Sequence, residues 1–209
     1  RAESYLAAGA DCIFVPGVTA AEEIGRLTAA IGAPVNVVSG LVEPVLDACQ
    51  GVIAHNSYVV QQVRQLRPAL PVTRVNMHCA PLPAGQQADR AALRAALGLD
   101  GRLVLASFGW VTPNKRVDVA LRAFARLRAD YPQALFLLVG QPAPEYDLSA
   151  LISSLGLADA VRITGRRSLP EFVRYMQATD IALNLRSPTA GETSASLIRL
   201  LGLGVPTLV

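Results

Sequence analysis

The 209 residues are 52% hydrophobic and 17% charged, with a mean hydropathy of +0.36. That is enough apolar material for a substantial core in one or two domains, and it excludes a disordered chain. The net charge of +3 is modest and the arginines are scattered without dense clusters or interleaved aromatics, which argues against a nucleic-acid partner.

The opening residues read as a helix around Tyr5 and Leu6, a strand over Cys12–Val15, a helix over Ala20–Ile31 and a strand over Val35–Val38. Turn residues follow each strand, and Thr19 with Glu22 forms a capping-box pattern. The unit is βαβ-like. The run Ala7-Ala-Gly-Ala-Asp-Cys-Ile-Phe-Val-Pro-Gly17 with Pro34-Val-Asn-Val37 resembles a piece of the isocitrate lyase and phosphoenolpyruvate mutase superfamily, a barrel family whose metal-binding and catalytic carboxylates are not recognisable here. Two strands cannot close such a barrel.

From Leu41 the reading is a short helix ending over Val45–Cys49, a strand over Gly51–Ala54, a helix capped by Ser57 and running to Leu66, and a strand over Val72–Val75. His55 and Asn56 close the first of these two strands. Either they bind a ligand at its C-terminal end, or they serve structure by ending the strand and capping the helix, which is the more usual case. Met77–Gln87 is rich in proline, alanine and glycine and reads as a linker, and a short helix over Ala88–Leu97 stops at Gly98. Cys12, Cys49 and Cys79 are far apart, and the pair His78-Cys79 lacks zinc-site spacing, so neither a disulfide framework nor a metal is expected.

From Arg102 the pattern is regular βα alternation. Strands are expected over Leu103–Phe108, Leu135–Val139, Val161–Ile163, Ile181–Leu185 and Val205–Val209, their continuous apolar character suiting a parallel sheet covered on both faces. Val117, Ala120, Leu121, Phe124 and Leu127 make one helical stripe, and Ser168 with Glu171 a capping box. Leu197, Ile198, Leu200 and Leu201 repeat at helical spacing after Thr193 or Ser194, either of which can cap. Two strand ends carry turn-rich loops, Phe108-Gly-Trp-Val-Thr-Pro-Asn-Lys-Arg116 and Pro188-Thr-Ala-Gly-Glu-Thr-Ser194. If the strands are parallel neighbours, these loops converge on one anionic ligand. Lys115 is the chain's only lysine, a compact point charge suited to phosphate; the alternative is a solvated surface cation at a helix start.

Those two loops, with Gly204-Val-Pro206, resemble the donor-binding domain of glycosyltransferase family 4, from about Leu41 to the end. The resemblance implies an α/β fold: the Rossmann-like parallel sheet of a GT-B enzyme, truncated, with a smaller N-terminal βαβ region. It implies residues 1–80 as a partial N-terminal region (1–40 lyase-like, 41–80 the end of an acceptor domain), 81–101 as linker and short helix, and 102–209 as the nucleotide-sugar domain. It also implies donor binding by Gly109, Lys115, Arg116, Gly140, Arg166, Gly191, Glu192, Thr193 and Ser194, with no catalytic residue identifiable and no metal. Two departures stand out. Trp110 occupies the place of the family's usual arginine, and Gly191 and Arg199 occupy the places of its usual glutamate pair, with Glu192 displaced by one.

The function that the resemblance implies is metal-independent, retaining transfer of sugar from a nucleoside diphosphate to a glycan, lipid or small-molecule acceptor that the residues do not identify. No separate cofactor is expected, since the nucleotide sugar is the donor substrate. The chain reads as a fragment of a cytoplasmic protein, with peripheral membrane contact left open. Two rivals stand beside this reading: a Mg²⁺-dependent lyase or mutase resting on Arg1 to Gly40, and a nucleotide-binding module without catalysis.

Overall fold

The computed structural model describes residues 13–16, 22, 26, 29, 35–38, 43–47, 49–79, 89–189 and 193–209. The capping box at Thr19, most of the helix expected over Ala20–Ile31 and most of the linker lie outside these residues. The chain forms two compact units, one of residues 1–77 with 190–193 and the other of residues 78–189 with 194–209.

In the first unit, β1 (Ile13–Pro16) pairs in parallel with β2 (Val35–Val38). After α1 (Glu43–Asp47), β3 (Val52–Ala54) leads into α2 (Ser57–Leu66) and returns as β4 (Val72–Arg74), parallel to β3. The cap of α2 is Asn56 and not Ser57: the Asn56 side chain accepts from the Val59 backbone N–H at 2.9 Å. Both residues are good caps, and the backbone conformation decides between them. Ser57 instead accepts a bond from Arg74 at 2.8 Å. His55 Nδ1 lies 2.8 Å from the Val75 carbonyl, so both polar residues at the end of β3 have structural employment.

The second unit opens with α3 (Arg90–Leu97), capped by Asp89 and stopped by Gly98 at φ 64°. Next come β5 (Val104–Phe108), a 3₁₀ turn (Pro113–Lys115), α4 (Val117–Leu127), β6 (Leu135–Val139), α5 (Ser149–Ser154) and β7 (Val161–Ile163). The unit closes with α6 (Leu169–Ala178), β8 (Ile181–Leu183), α7 (Ala195–Gly202) and β9 (Thr207–Leu208). The five strands form one all-parallel sheet in the order β7-β6-β5-β8-β9. The chain thus winds outward from β5 in both directions, which places β5 and β8 side by side although β6, β7 and three helices lie between them in sequence.

Alternation along the strands builds two cores. Val104, Ala106 and Phe108 join Leu135, Leu137 and Val139 on one face; Leu105 joins Phe136 and Leu138 with Leu121 and Phe124 of α4 on the other. Edge-to-face ring pairs, Phe108 with Phe172 and Phe124 with Phe136, both have centroids 5.4 Å apart. The central strands β5 and β6 are buried throughout. The outer strands are not: Ile163 on β7 and Leu208 on β9 are exposed, because an edge strand has only one neighbour and partial helix cover. The expectation of full cover holds only at the centre. Strands β8 and β9 are also shorter than their apolar runs, and Leu201 faces outward while Leu200 packs inside.

The base of this sheet is held by one carboxylate. Asp180 accepts from Arg90 at 2.6 Å, from Arg94 at 3.1 Å and from the Val104 backbone N–H at 2.7 Å. Arg94 also donates to the Ala178, Leu99 and Arg102 carbonyls. Burial would raise the Asp180 carboxyl, but the Val104 N–H and the two arginines outweigh it and hold the group below its ordinary value.

Candidate functional site

At the opposite, C-terminal edge of the sheet, strands β7, β6, β5 and β8 all deliver their loops to the same side, the place where open α/β sheets bind ligands. Two glycines let the central loops touch. A Cβ built on Gly140, just after β6, would lie 2.0 Å from the Gly109 carbonyl oxygen, just after β5. Backbone cannot yield to that extent without moving the loop, so Gly140→Ala is expected to cost about 1–3 kcal/mol of stability. Gly202→Ala, at a helical position with nothing within 4 Å of the added methyl, should cost nothing or stabilise slightly. Denaturant unfolding of the two variants measures the contrast.

Gly109 adopts φ 88°, and its position in the loop is fixed by the hydrogen bond from its N–H to the Val139 carbonyl at 3.0 Å. Val111 is buried and bonds to Gln141, so the chain around Gly109 is tied to the β6 loop on both sides. Between these anchors Trp110 projects outward with 62% of its surface exposed.

The chain then turns through Pro113–Lys115 before α4 begins. Lys115 is therefore not a solvated cation at a helix start. Its side chain folds back over the end of β5 and donates to the Phe108 carbonyl at 2.5 Å, with Nζ 3.0 Å from where a Gly109 Cβ would sit. Among the described residues no carboxylate pairs with it. Burial, reinforced by the nearby Arg186 charge, lowers its pKa from 10.5 to about 8.

Arg116 takes the left-handed conformation at φ 52°, the only non-glycine with positive φ among the described residues, and its guanidinium lies 3.8 Å from Asp118. Its charge is directed along α4 and partly offset. Arg166, beyond β7, is exposed and has no hydrogen bond or ion pair within the described residues, while its neighbour Arg167 donates to Thr164 and lies near Glu171. The expected Ser168–Glu171 capping box is present.

On the β8 side, Ser194 caps α7: its Oγ accepts from the Leu197 N–H at 3.2 Å and donates to Asn184 at the end of β8 at 3.0 Å. Ser196, in the first turn of α7, lies 3.7 Å from the position of a Gly109 Cβ, so the β5 and β8 loops do meet. Thr193 groups with the first unit and accepts a bond from Asn56 at 3.0 Å. Gly191 and Glu192 lie outside the described residues. Sequence reasoning missed Arg186, whose charge acts on Lys115 from the loop after β8; its position amid Asn184-Leu-Arg-Ser187 carries no local signal.

This is the Rossmann-like fold of GT-B glycosyltransferases, an all-parallel sheet with its glycine-bearing loops at one edge. Residues 89–187 match the family described as glycosyl transferases group 1, and residues 1–73 match phosphoenolpyruvate phosphomutase, a match that continues past Gly40 to Thr73. Among curated proteins, a D-inositol 3-phosphate glycosyltransferase of Mycobacterium sp. (strain KMS) is 33% identical over 147 residues, covering 66% of this chain and 32% of the relative. An α-D-kanosaminyltransferase of Streptomyces kanamyceticus is 36% identical over 93 residues, covering 44% and 24%. The chain thus spans about a third of the length of the first of these relatives. Among solved structures, Anabaena HepE in complex with UDP and glucose superposes with a TM-score of 0.71 at 18% identity, over 97% of this chain and 60% of that one. Sucrose-phosphate synthase from Thermosynechococcus elongatus gives 0.68 at 16% identity, over 99% and 58%.

Proposed function

We propose that the C-terminal edge of the five-stranded sheet binds the diphosphate of a nucleotide sugar, and that the chain belongs to a glycosyltransferase of the family 4 type, retaining and metal-independent, acting on an acceptor still to be identified. The observation that carries this reading is Lys115: a partly buried ammonium with no carboxylate partner among the described residues, held over the end of the central strand between two glycine loops. A departing diphosphate gains charge in the transition state of sugar transfer, and a fixed cation in a partly desolvated loop lowers that barrier more than a solvated one. Gly140 lets the β5 and β6 loops close on one another, Gly109 leaves room for the Lys115 side chain beside its backbone, and the Ser194-capped start of α7 turns its free N–H groups toward the same edge. Gly191 and Glu192 belong to the same loop by sequence, with Arg116 and Arg166 as outer cations.

The resemblance to HepE makes UDP the first nucleotide to try. Calorimetric titration with UDP, GDP and ADP, each beside its nucleoside, tests the reading. Binding of at least one diphosphate, with its nucleoside at least tenfold weaker, is the expected result; equal affinities for a diphosphate and its nucleoside would remove the phosphate site.

The phosphomutase match of residues 1–73 favours a second reading for the first unit, a segment of lyase or mutase type. Incubation with Mg²⁺ and phosphonopyruvate, followed by phosphorus NMR, separates the two: conversion to phosphoenolpyruvate supports the second reading, and an unchanged spectrum opposes it.

A further inference from the structure

A nucleoside diphosphate brings more than one negative charge, and Lys115 supplies one positive charge. The sheet register shows where another can come from. Ala106 of β5 pairs in parallel with Ala182 of β8, so the loop after β8, which carries Arg186, leaves the same edge of the sheet as the loop after β5. The two loops are joined directly, since the Ser187 N–H donates to the Asn114 carbonyl at 2.8 Å, between Arg186 and the turn that carries Lys115. Arg186 is half-buried, and Trp110 in the β5 loop carries no charge.

We propose that Arg186 is the second diphosphate-binding cation of this site, reaching it from the β8 loop while Lys115 reaches it from the β5 loop. The proposal rests on the donor-site reading above and adds to it the residue and the strand that supply the second charge. Two cations held near one another in a partly desolvated loop repel, and the Arg186 charge adds to burial, the larger cause, in lowering the Lys115 pKa; a bridging anion converts that repulsion into attraction to both. A planar guanidinium can grip two phosphate oxygens at once, complementing the point charge of Lys115.

Charge relocation tests this. Arg186→Gln is expected to weaken binding of UDP, or of whichever of UDP, GDP and ADP the wild type prefers, by about tenfold or more. Adding Trp110→Arg to that variant is expected to recover part of the loss by returning a cation from the adjacent strand. Unchanged affinity in Arg186→Gln would overturn the role of Arg186 while leaving Lys115 and the donor site standing, and failure of the wild type to bind any of the three nucleotides would overturn both. Should Arg186→Gln melt well below the wild type, Arg186→Lys and Trp110→Arg decide: a charge-preserving variant within about threefold of wild type and tighter binding by Trp110→Arg support the proposal, and the absence of any tightening overturns it.

Discussion

Replacing Lys115 by alanine is expected to weaken nucleoside-diphosphate binding by about 10- to 150-fold, the equivalent of about 1.5–3 kcal/mol for a hydrogen bond to a charged group. Lys115→Arg should fall between, since a longer planar fork cannot take the same point position over the Phe108 carbonyl. The effect carries a pH signature. Without ligand the ammonium is lost as pH rises through about 8, and a bound diphosphate stabilises the charged form and moves that value up again. Binding therefore takes up a proton near and above pH 8, and affinity falls as the solution is made more alkaline. The same depression acts on folding: between about 8 and 10.5 the unfolded chain holds the proton that the folded chain has released, so stability rises with pH across that window. Titrations in buffers of different ionisation enthalpy measure the uptake. Affinity that is flat from about pH 7 to 9.5, a range that spans the folded-state value, would place Lys115 away from the phosphates.

The largest effect on stability is expected at Asp180. Asp180→Ala removes the carboxylate from Arg94, whose side chain is only 12% exposed, and from Arg90, and leaves the Val104 N–H without its side-chain acceptor. The expected cost is about 2–4 kcal/mol, between that of an unsatisfied buried donor and that of a broken buried pair, since Asp180 retains some contact with water. Asp180→Asn should cost less, because its oxygen can still accept from Val104. As the folded-state value of Asp180 is depressed, its contribution is present above the ordinary carboxylate range near about 3.9 and is lost as pH falls through the lower folded value. Urea unfolding at neutral pH and at about pH 3 reads both effects: the gap between wild type and Asp180→Ala should narrow in acid. An Asp180→Ala variant as stable as wild type at neutral pH would show that α3 is held without this carboxylate, by its apolar face and by the bonds of Arg90 and Arg94 to backbone carbonyls.

What could be read from residues alone follows the range of the interactions involved. Strands β5 and β6 lie at the centre of the sheet, and their unbroken apolar runs mark them closely. At the edges the same composition overstates the element: Leu208 and Ile163 are apolar yet exposed, and the strand that begins at Ile181 ends at Leu183, short of the expected Leu185. Local signals such as the Ser168–Glu171 box are legible because both partners lie within one helical turn. Asn56 and Ser57 are adjacent and equally suited to cap, and only the backbone conformation separates them. Lys115 stands out as a lone lysine, but its burial depends on a 3₁₀ turn that swings it back onto Phe108. The partners that matter most, Arg186 for Lys115 and Asp180 for Arg90 and Arg94, are distant in sequence, Arg90 and Asp180 being 90 positions apart. Parallel pairing of β5 with β8 brings them together, and no local pattern announces it.

In the proposed donor site the diphosphate sits at the C-terminal end of β5 in the grip of Lys115. A crystal structure of the chain with UDP tests it most directly. The expected result is a phosphate oxygen within about 3 Å of Lys115 Nζ, beside Gly109 and facing the β8 loop. Phosphate density at any other edge of the sheet, with Lys115 still bonded only to the Phe108 carbonyl, would contradict it.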